Sequence, residues 1–372
     1  MQSILRWSLE NSTPLDSAAR SQPPEGRSPI DPEIIDMILG KPDAIKMTES
    51  MAIAVDPSKS EDERMTALDD LEMLIEHIDN ANDLQKLGLW EPLQSLLTAE
   101  SSTPEIRTQA LWAIGTAVQN NPLAQDVYLS YSPLPVLLSF LGPSSSSGAS
   151  GRAKAIYTLS GLLKHHAPAV EALGKPGVNG WPRLRGALQD SSISVRRKTV
   201  FLLSTLLMPT SPSTSQSTNF PAPPNALRIT DDPNSEAPNI LTPDDRPAAP
   251  SDPVYANSHA AHLQDPSRTA TSPITLIAFK EHGILDAVVS SLITPLPHGD
   301  DGENTDADVD YEEKAVRLLH TYAVTCNGEL SKEQKKNLKS WIQAEKTKVG
   351  ENELLEKWSL GREEYAALVE KL

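Results

Sequence analysis

Four arginines, Arg64, Arg107, Arg152 and Arg196, recur at spacings of 43, 45 and 44 residues, each near the start of an apolar-periodic segment. A repeat of roughly 40 to 47 residues is the armadillo/HEAT range. Counting from each arginine, position +4 holds Leu68, Leu111, Ile156 and Val200, and position +7 holds Leu71, Ile114, Leu159 and Leu203. Position +11 holds Ile75, Val118, Leu163 and Leu207. Offsets of 4, 7 and 11 fall on one side of a 3.6-residue helix, so one helix face is written four times. Between anchors lies a second helical block: Trp90, Leu93, Leu96 and Leu97; then Leu134, Leu137, Leu138 and Leu141; then Trp181, Leu184 and Leu188. The segment Phe279 to Leu292 echoes Leu84 to Leu97, so the pattern resumes late in the chain. The expected fold is an all-α, right-handed armadillo/HEAT-like solenoid of about four to five repeats, with an N-terminal arm and C-terminal helices.

Helix punctuation agrees with the period. Asp31-Pro32 opens a segment that Gly40 and Pro42 close. Ser60 with Glu63 and Ser331 with Gln334 have capping-box spacing, and Thr103-Pro104-Glu105 opens another helix. Composition then divides the chain. Residues 1–29 read as a short helix, Ile4 to Leu9, on a Pro-containing arm, and 30–208 as the repeats. Residues 209–273 hold 13 of the 31 prolines and read as a disordered insertion. Residues 274–330 form the last repeat, interrupted by an acidic loop at 300–313 with eight carboxylates. Residues 331–372 form a helical tail, in which Trp341 and Trp358 each call for an apolar neighbour.

Several functions are excluded. The formal net charge is −17 and no basic block is present, which argues against a phosphate-driven nucleic-acid binder. The most apolar stretch, about Val200 to Met208, is far short of a membrane span, and the N-terminal residues lack the apolar core of a secretory signal. A single cysteine, Cys326, points to a reducing address, cytosolic or nuclear, of which the cytoplasm is the expectation. No phosphate-binding, zinc or nucleophile motif is present, so no enzymatic chemistry, cofactor or metal is expected. His165 and His166 are adjacent, read as surface residues and form a poor pair for one metal.

The opposite helix face carries the functional signal. Position +5 holds Asp69, Trp112, Tyr157 and Phe201, three aromatics in register in a chain that is only 5% aromatic. Aromatic rows turned away from a core tend to be binding anchors; the alternative is that an aromatic at +5 is wedged between neighbouring repeats, since solenoid helices touch neighbours on more than one side. Gln119 and Lys164 at +12, with Arg197 beside Arg196, add polar reach. The four anchor arginines themselves read as helix-start and inter-repeat structure.

The string Asp79 to Leu93, with Ile114 to Pro122 and Arg152 to Ser160, closely resembles the armadillo-type nucleotide exchange factors of 70-kDa heat-shock chaperones, in their cytosolic fungal Fes-type branch. Leu5 to Ser12 and Leu39 to Met51 are similar to the same branch. The Pro-rich insertion, the acidic loop and the Lys/Glu-rich tail depart from it. The resemblance implies a non-enzymatic monomer whose concave face clasps the chaperone ATPase domain and speeds ADP release. It assigns that face to Trp112, Gln119, Tyr157, Lys164, Arg197 and Phe201. It also implies that Ile4, Leu5, Trp7 and Leu9 compete for the chaperone's peptide site and promote client release. An armadillo adaptor for basic peptides is the alternative. Its asparagine row would stand at +9, where this chain has Met73, Thr116, Gly161 and Thr205. Deleting residues 1–29 is expected to leave ADP release intact and to slow client release, measured as the two off-rates on one chaperone; an unchanged client off-rate excludes that role.

Overall fold

The computed structural model describes residues 41–142, 148–209, 261–262, 265–299 and 302–372. Its helices are α1 (Asp43–Val55), α2 (Glu61–Ile75), α3 (Ile78–Lys86), α4 (Trp90–Ser95), α5 (Pro104–Val118) and α6 (Pro122–Ser130). They continue with α7 (Leu134–Ser139), α8 (Ala149–Leu163), α9 (Ala167–Leu173), α10 (Gly180–Ala187), α11 (Ile193–Leu207) and α12 (Pro266–Thr269). The last are α13 (Ser272–Glu281), α14 (Ile284–Ile293), α15 (Val309–His320) with a π-helical turn (Thr321–Thr325), α16 (Lys332–Val349), α17 (Glu351–Lys357) and α18 (Arg362–Lys371). Among the described residues there is no strand beyond one bridge, His298 to Asn304, and no helix long and apolar enough to cross a membrane.

Four long helices, α2, α5, α8 and α11, are each 15 residues, and each packs against the next, with α15 continuing the row after α11. Every residue at +4, +7 and +11 is fully buried, so the repeated sequence face is the core face. The block between anchors is divided more finely than the sequence reading of one helix: two short helices stand there each time. A residue with positive φ separates them at the same place in four repeats, at Gly88, Ser132, Asn179 and Gly283. The left-handed conformation turns the chain sharply, and glycine and asparagine adopt it most readily. The expected caps form, with full capping boxes at Ser60/Glu63 and Ser331/Gln334, and Thr103 Oγ1 accepting from Ile106 N.

The anchor arginines tie the repeats together. Arg64 donates to Ala54 O at 2.8 Å and Ser101 O at 2.7 Å, and Arg107 to Ala99 O at 3.0 Å. Arg152 forks onto Asp190 at 2.7 and 2.9 Å, and Arg196 donates to Leu296 O and Pro297 O at 3.0 and 2.9 Å. Arg64, Arg152 and Arg196 each reach the loop that leads into the following long helix. Arg64 and Arg196 satisfy loop carbonyls that would otherwise lose their water and Arg152 a loop carboxylate, since a guanidinium supplies several donors at once.

Three segments depart from the sequence reading. The insertion assigned to 209–273 ends before its last residues: Asp265 caps α12, and Arg268, 8% exposed, locks that helix onto α6. Arg268 donates to Asp126 at 2.6 Å, to Pro122 O at 2.7 Å and to Gln125 Oε1 at 3.2 Å. Thr271 Oγ1 donates to Leu206 O at 2.9 Å, which places the end of the insertion beside its beginning. The acidic loop assigned to 300–313 gives way to α15 at Val309. Its carboxylates are tolerated because Asp308 accepts from Tyr311 N at the helix N-terminus and Glu312 is neutralised by Lys357 at 2.7 Å. His166 is fully buried, not superficial, its ring nitrogens facing Leu162 O at 3.1 Å and Asp126 Oδ1 at 3.0 Å.

The C-terminal helices close the stack. Trp358, fully buried, stacks on Trp341 with ring centroids 5.2 Å apart and donates through Nε1 to Glu312 at 2.6 Å. α16 packs on α14, and α18 on α15 and the π-helical turn. The helix expected at 31–40 and the segment 1–29 lie outside the described residues.

Burial pushes the Asp126 carboxyl up, but the hydrogen bonds from His166 and Arg268 outweigh it and hold it at about 2. A folded value below the ordinary 3.8 means that this clamp stabilises the fold above about pH 4 and is lost as pH falls towards 2. Asp126→Asn is therefore expected to lower Tm at pH 7 and to narrow its gap to wild type between pH ~4 and ~2, measured as Tm against pH.

Candidate functional site

The +5 positions lie on the face of the long-helix row opposite the core. Trp112 is 38% exposed and Phe201 57% exposed, with Asp69 also exposed and Tyr157 half-buried between them. Tyr157 is set by its neighbours. Its ring lies so close over Gly115 that a Cβ there would stand 2.5 Å from ring carbon Cε1. Gly161 shows the same close approach from the other helix, a Cβ meeting Val118 Cγ2 at 3.0 Å and Gly115 O at 3.1 Å. These two glycines let α5 and α8 come together. Thr158 Oγ1, buried between the helices, donates to Leu111 O at 2.6 Å. Thr116 Oγ1 donates to the buried Glu72 at 2.6 Å and lies 3.4 Å from the Tyr157 hydroxyl, a polar line across α2, α5 and α8.

An open groove of about 480 Å³ follows this row on α8, α11 and α15. Gln119, Tyr157, Arg197 and Phe201 line it together, with Lys198, Asp310 and Lys314. Trp112 stands one place further along and is joined to the row by Lys154, whose Nζ lies 3.3 Å from the Trp112 ring centroid and 5.3 Å from that of Tyr157. Burial, and then the Lys198 charge, hold the Lys154 ammonium below its ordinary range. Lys164 lies at the edge, where Nζ donates to Asn120 Oδ1 at 3.1 Å; it lines a separate cavity with Gln125, His165 and Arg268.

Arg197 is held by its own chain. Its Nε donates to Asp308 Oδ1 at 2.8 Å, its Nη2 to Asp308 Oδ2, and Nε lies 3.3 Å from Asp310. Lys314 pairs with Asp310 one helical turn away. The groove thus presents three cations, Arg197, Lys198 and Lys314, against Asp310, with Lys154 beside it at Trp112 and Asp308 behind Arg197, on a chain that is strongly acidic overall. Sequence reasoning set Lys198 beside the row but missed Lys154, Asp310 and Lys314. Lys154, three residues before Tyr157 and so on the same helix face, could have been found by the helical period alone. Among the described residues no group of His, Cys, Asp and Glu could hold a metal ion. The client-mimic residues Ile4, Leu5, Trp7 and Leu9 lie outside the described residues. The geometry suits recognition of a protein surface: flat aromatic anchors beside charged groups that can meet carboxylates.

Comparison with known proteins adds identity to this geometry. Residues 1–84 match a family model described as "Nucleotide exchange factor Fes1". A curated protein of Mycosarcoma maydis, named Hsp70 nucleotide exchange factor FES1, is 36% identical over 347 residues, covering 86% of this chain and 82% of that protein. The protein of the same name in Saccharomyces cerevisiae is 33% identical over 202 residues, covering 53% of this chain and 67% of that protein. Among solved structures, a designed armadillo repeat protein aligns with a TM-score of 0.51 at 14% identity, covering 88% of this chain and 99% of that one. An engineered protein aligns with a TM-score of 0.52 at 14% identity, covering 89% and 96%. These two likenesses establish an armadillo-like fold.

Because the Tyr157 ring occupies the space that a Cβ at position 115 needs, overpacking by Gly115→Ala is expected to cost about 1–3 kcal/mol. The roughly 1 kcal/mol an alanine gains over glycine in a helix offsets part of that cost, leaving a net destabilisation of up to about 2 kcal/mol. Urea unfolding measures the difference.

Proposed function

Because the chain belongs to the Fes1 family of Hsp70 nucleotide exchange factors, we propose that it loosens the nucleotide cleft of a cytoplasmic 70-kDa chaperone through the groove of its long-helix row. The chain is an Hsp70 nucleotide exchange factor, and its partner is the chaperone. As a monomer it clasps one lobe of the chaperone ATPase domain with Trp112, Tyr157 and Phe201 as apolar anchors and Lys198 as the exposed cation beside them. Gln119 contributes at the centre of the groove, Lys164 at its edge, and Arg197 as a cation that Asp308 holds in place for an acidic group of the lobe. The observation that carries this reading is the aromatic row itself, exposed on the face opposite the core and flanked by the cations of the groove.

The mechanism is linkage. A partner shifts the cleft only by the difference in its affinity for the open and closed forms, so tight binding to both would release nothing. Accelerating ADP release a hundredfold needs about 2.7 kcal/mol of preference for the opened lobe. Two buried aromatic contacts, each worth about 2 kcal/mol and made only with the opened form, suffice. The aromatic anchors stand on stacked helices whose spacing is fixed by Gly115 and Gly161, which gives the groove the rigidity to hold one lobe displaced. No bond is made or broken on this chain during exchange. The leading residues Ile4, Leu5, Trp7 and Leu9 act separately, occupying the chaperone's peptide site so that the client leaves with the nucleotide.

Tyr157→Ala combined with Lys198→Glu is expected to reduce stimulated release of a fluorescent ADP from the chaperone at least about 30-fold, the equivalent of one hot-spot contact, with helicity by circular dichroism unchanged. Full stimulation by that double variant rejects the assigned face.

A further inference from the structure

The groove's arginine is already occupied, and the two carboxylates that occupy it are not equivalent. Asp308, with a side chain only 10% exposed, is structural: it accepts from both Arg197 nitrogens and caps α15 by accepting from Tyr311 N at 2.8 Å. Asp310 is 43% exposed, lines the open groove, lies 3.3 Å from Arg197 Nε and pairs with Lys314 on its own helix. Residues 308 and 310 reach Arg197 from a part of the chain 111 positions away, across the α11–α15 contact.

We infer that Asp310 is a resident competitor for the acidic groups of the chaperone: in the free protein it takes the position beside Arg197 that a partner carboxylate takes in the complex. The inference rests on the exchange-factor reading of the groove and names how that groove selects its partner. A carboxylate approaching Arg197 meets Asp310 first, and two like charges a few ångströms apart repel most strongly where an interface excludes water. Exchange is inexpensive because Asp310, once displaced from Arg197, keeps Lys314 one turn along the helix. Asp308 meanwhile holds the guanidinium in place. The consequence is selectivity. An unmasked cationic groove attracts any polyanion, whereas this one yields only to a partner that brings a carboxylate together with apolar surface for Tyr157 and Phe201.

The test uses the full chain and the isolated chaperone ATPase domain, with wild type, Asp310→Asn, Arg197→Gln and the double variant compared at low and high salt by calorimetry. Asp310→Asn is expected to bind about two- to fivefold tighter at low salt, the range of an exposed ion pair. That gain should shrink at high salt and vanish in the Arg197→Gln background. Asp310→Ser, equally suited to the first turn of a helix, serves if Asp310→Asn alters the unfolding midpoint. Equal or weaker binding by Asp310→Asn at an unchanged midpoint overturns the inference, as does a gain that survives Arg197→Gln. Wild-type protein that fails to bind the chaperone overturns the exchange-factor reading and this inference with it, an outcome distinct from wild type binding without a gain in the variant.

Discussion

Each long helix buries its apolar face against its own short helices and its flanks against the long helices before and after it, so no repeat owns a complete core. Everything else follows from that lateral packing. Stability becomes a sum over neighbours, and the points at risk are the joints, where helix ends expose carbonyls. The chain answers with the anchor arginines, three of which reach forward to the loop that opens the next repeat, and with left-handed residues that make each turn short. At the far end, where a solenoid would leave its last apolar face open, the Trp358 ring and the Glu312 carboxylate are buried together and close the stack.

The same register produces the groove. Because the helices stack with about 44 positions between counterparts, the +5 side chains of successive repeats fall along one face of the row. A row of aromatics is therefore a property of the repeat and needs no separate loop to build it. The row is tuned locally: Lys154 lies over Trp112, Gly115 accommodates the Tyr157 ring, and the last repeat lends Asp308 and Asp310 to Arg197. The net charge of the chain says little about this surface, since cations outnumber carboxylates along the groove.

Much of this was legible in the residues. The buried faces at +4, +7 and +11 follow from the helical period, and the exposure of Trp112 and Phe201 follows from being opposite them. Local chemistry also spoke plainly, as in the capping boxes at Ser60 and Ser331. What could not be read were pairings between distant segments. Eight carboxylates in 14 residues look like mutual repulsion, and nothing near Asp308 in sequence announces that Arg197 will neutralise it from 111 positions away. Arg268 sits among prolines and serines and reads as part of the insertion; its role appears only when Asp126 is placed opposite. His166 reads as superficial for the same reason, because its partner Asp126 lies 40 residues upstream. Periodicity reports which side of a helix is wet, whereas charge pairing depends on topology.

Thr271 hydroxyl to Leu206 carbonyl is one hydrogen bond, yet it brings the two sides of the insertion to the same point of the stack. The last repeat is thereby seated by contact with α11 and, through Arg268, with α6, and the count of residues between does not enter its placement. For a segment closing two fixed points the entropic cost grows only with the logarithm of its length, about 0.6 kcal/mol for each doubling. Such a junction is an evolutionary port: with its two ends pinned together, a change of length between them costs the rest of the stack little more than this closure entropy.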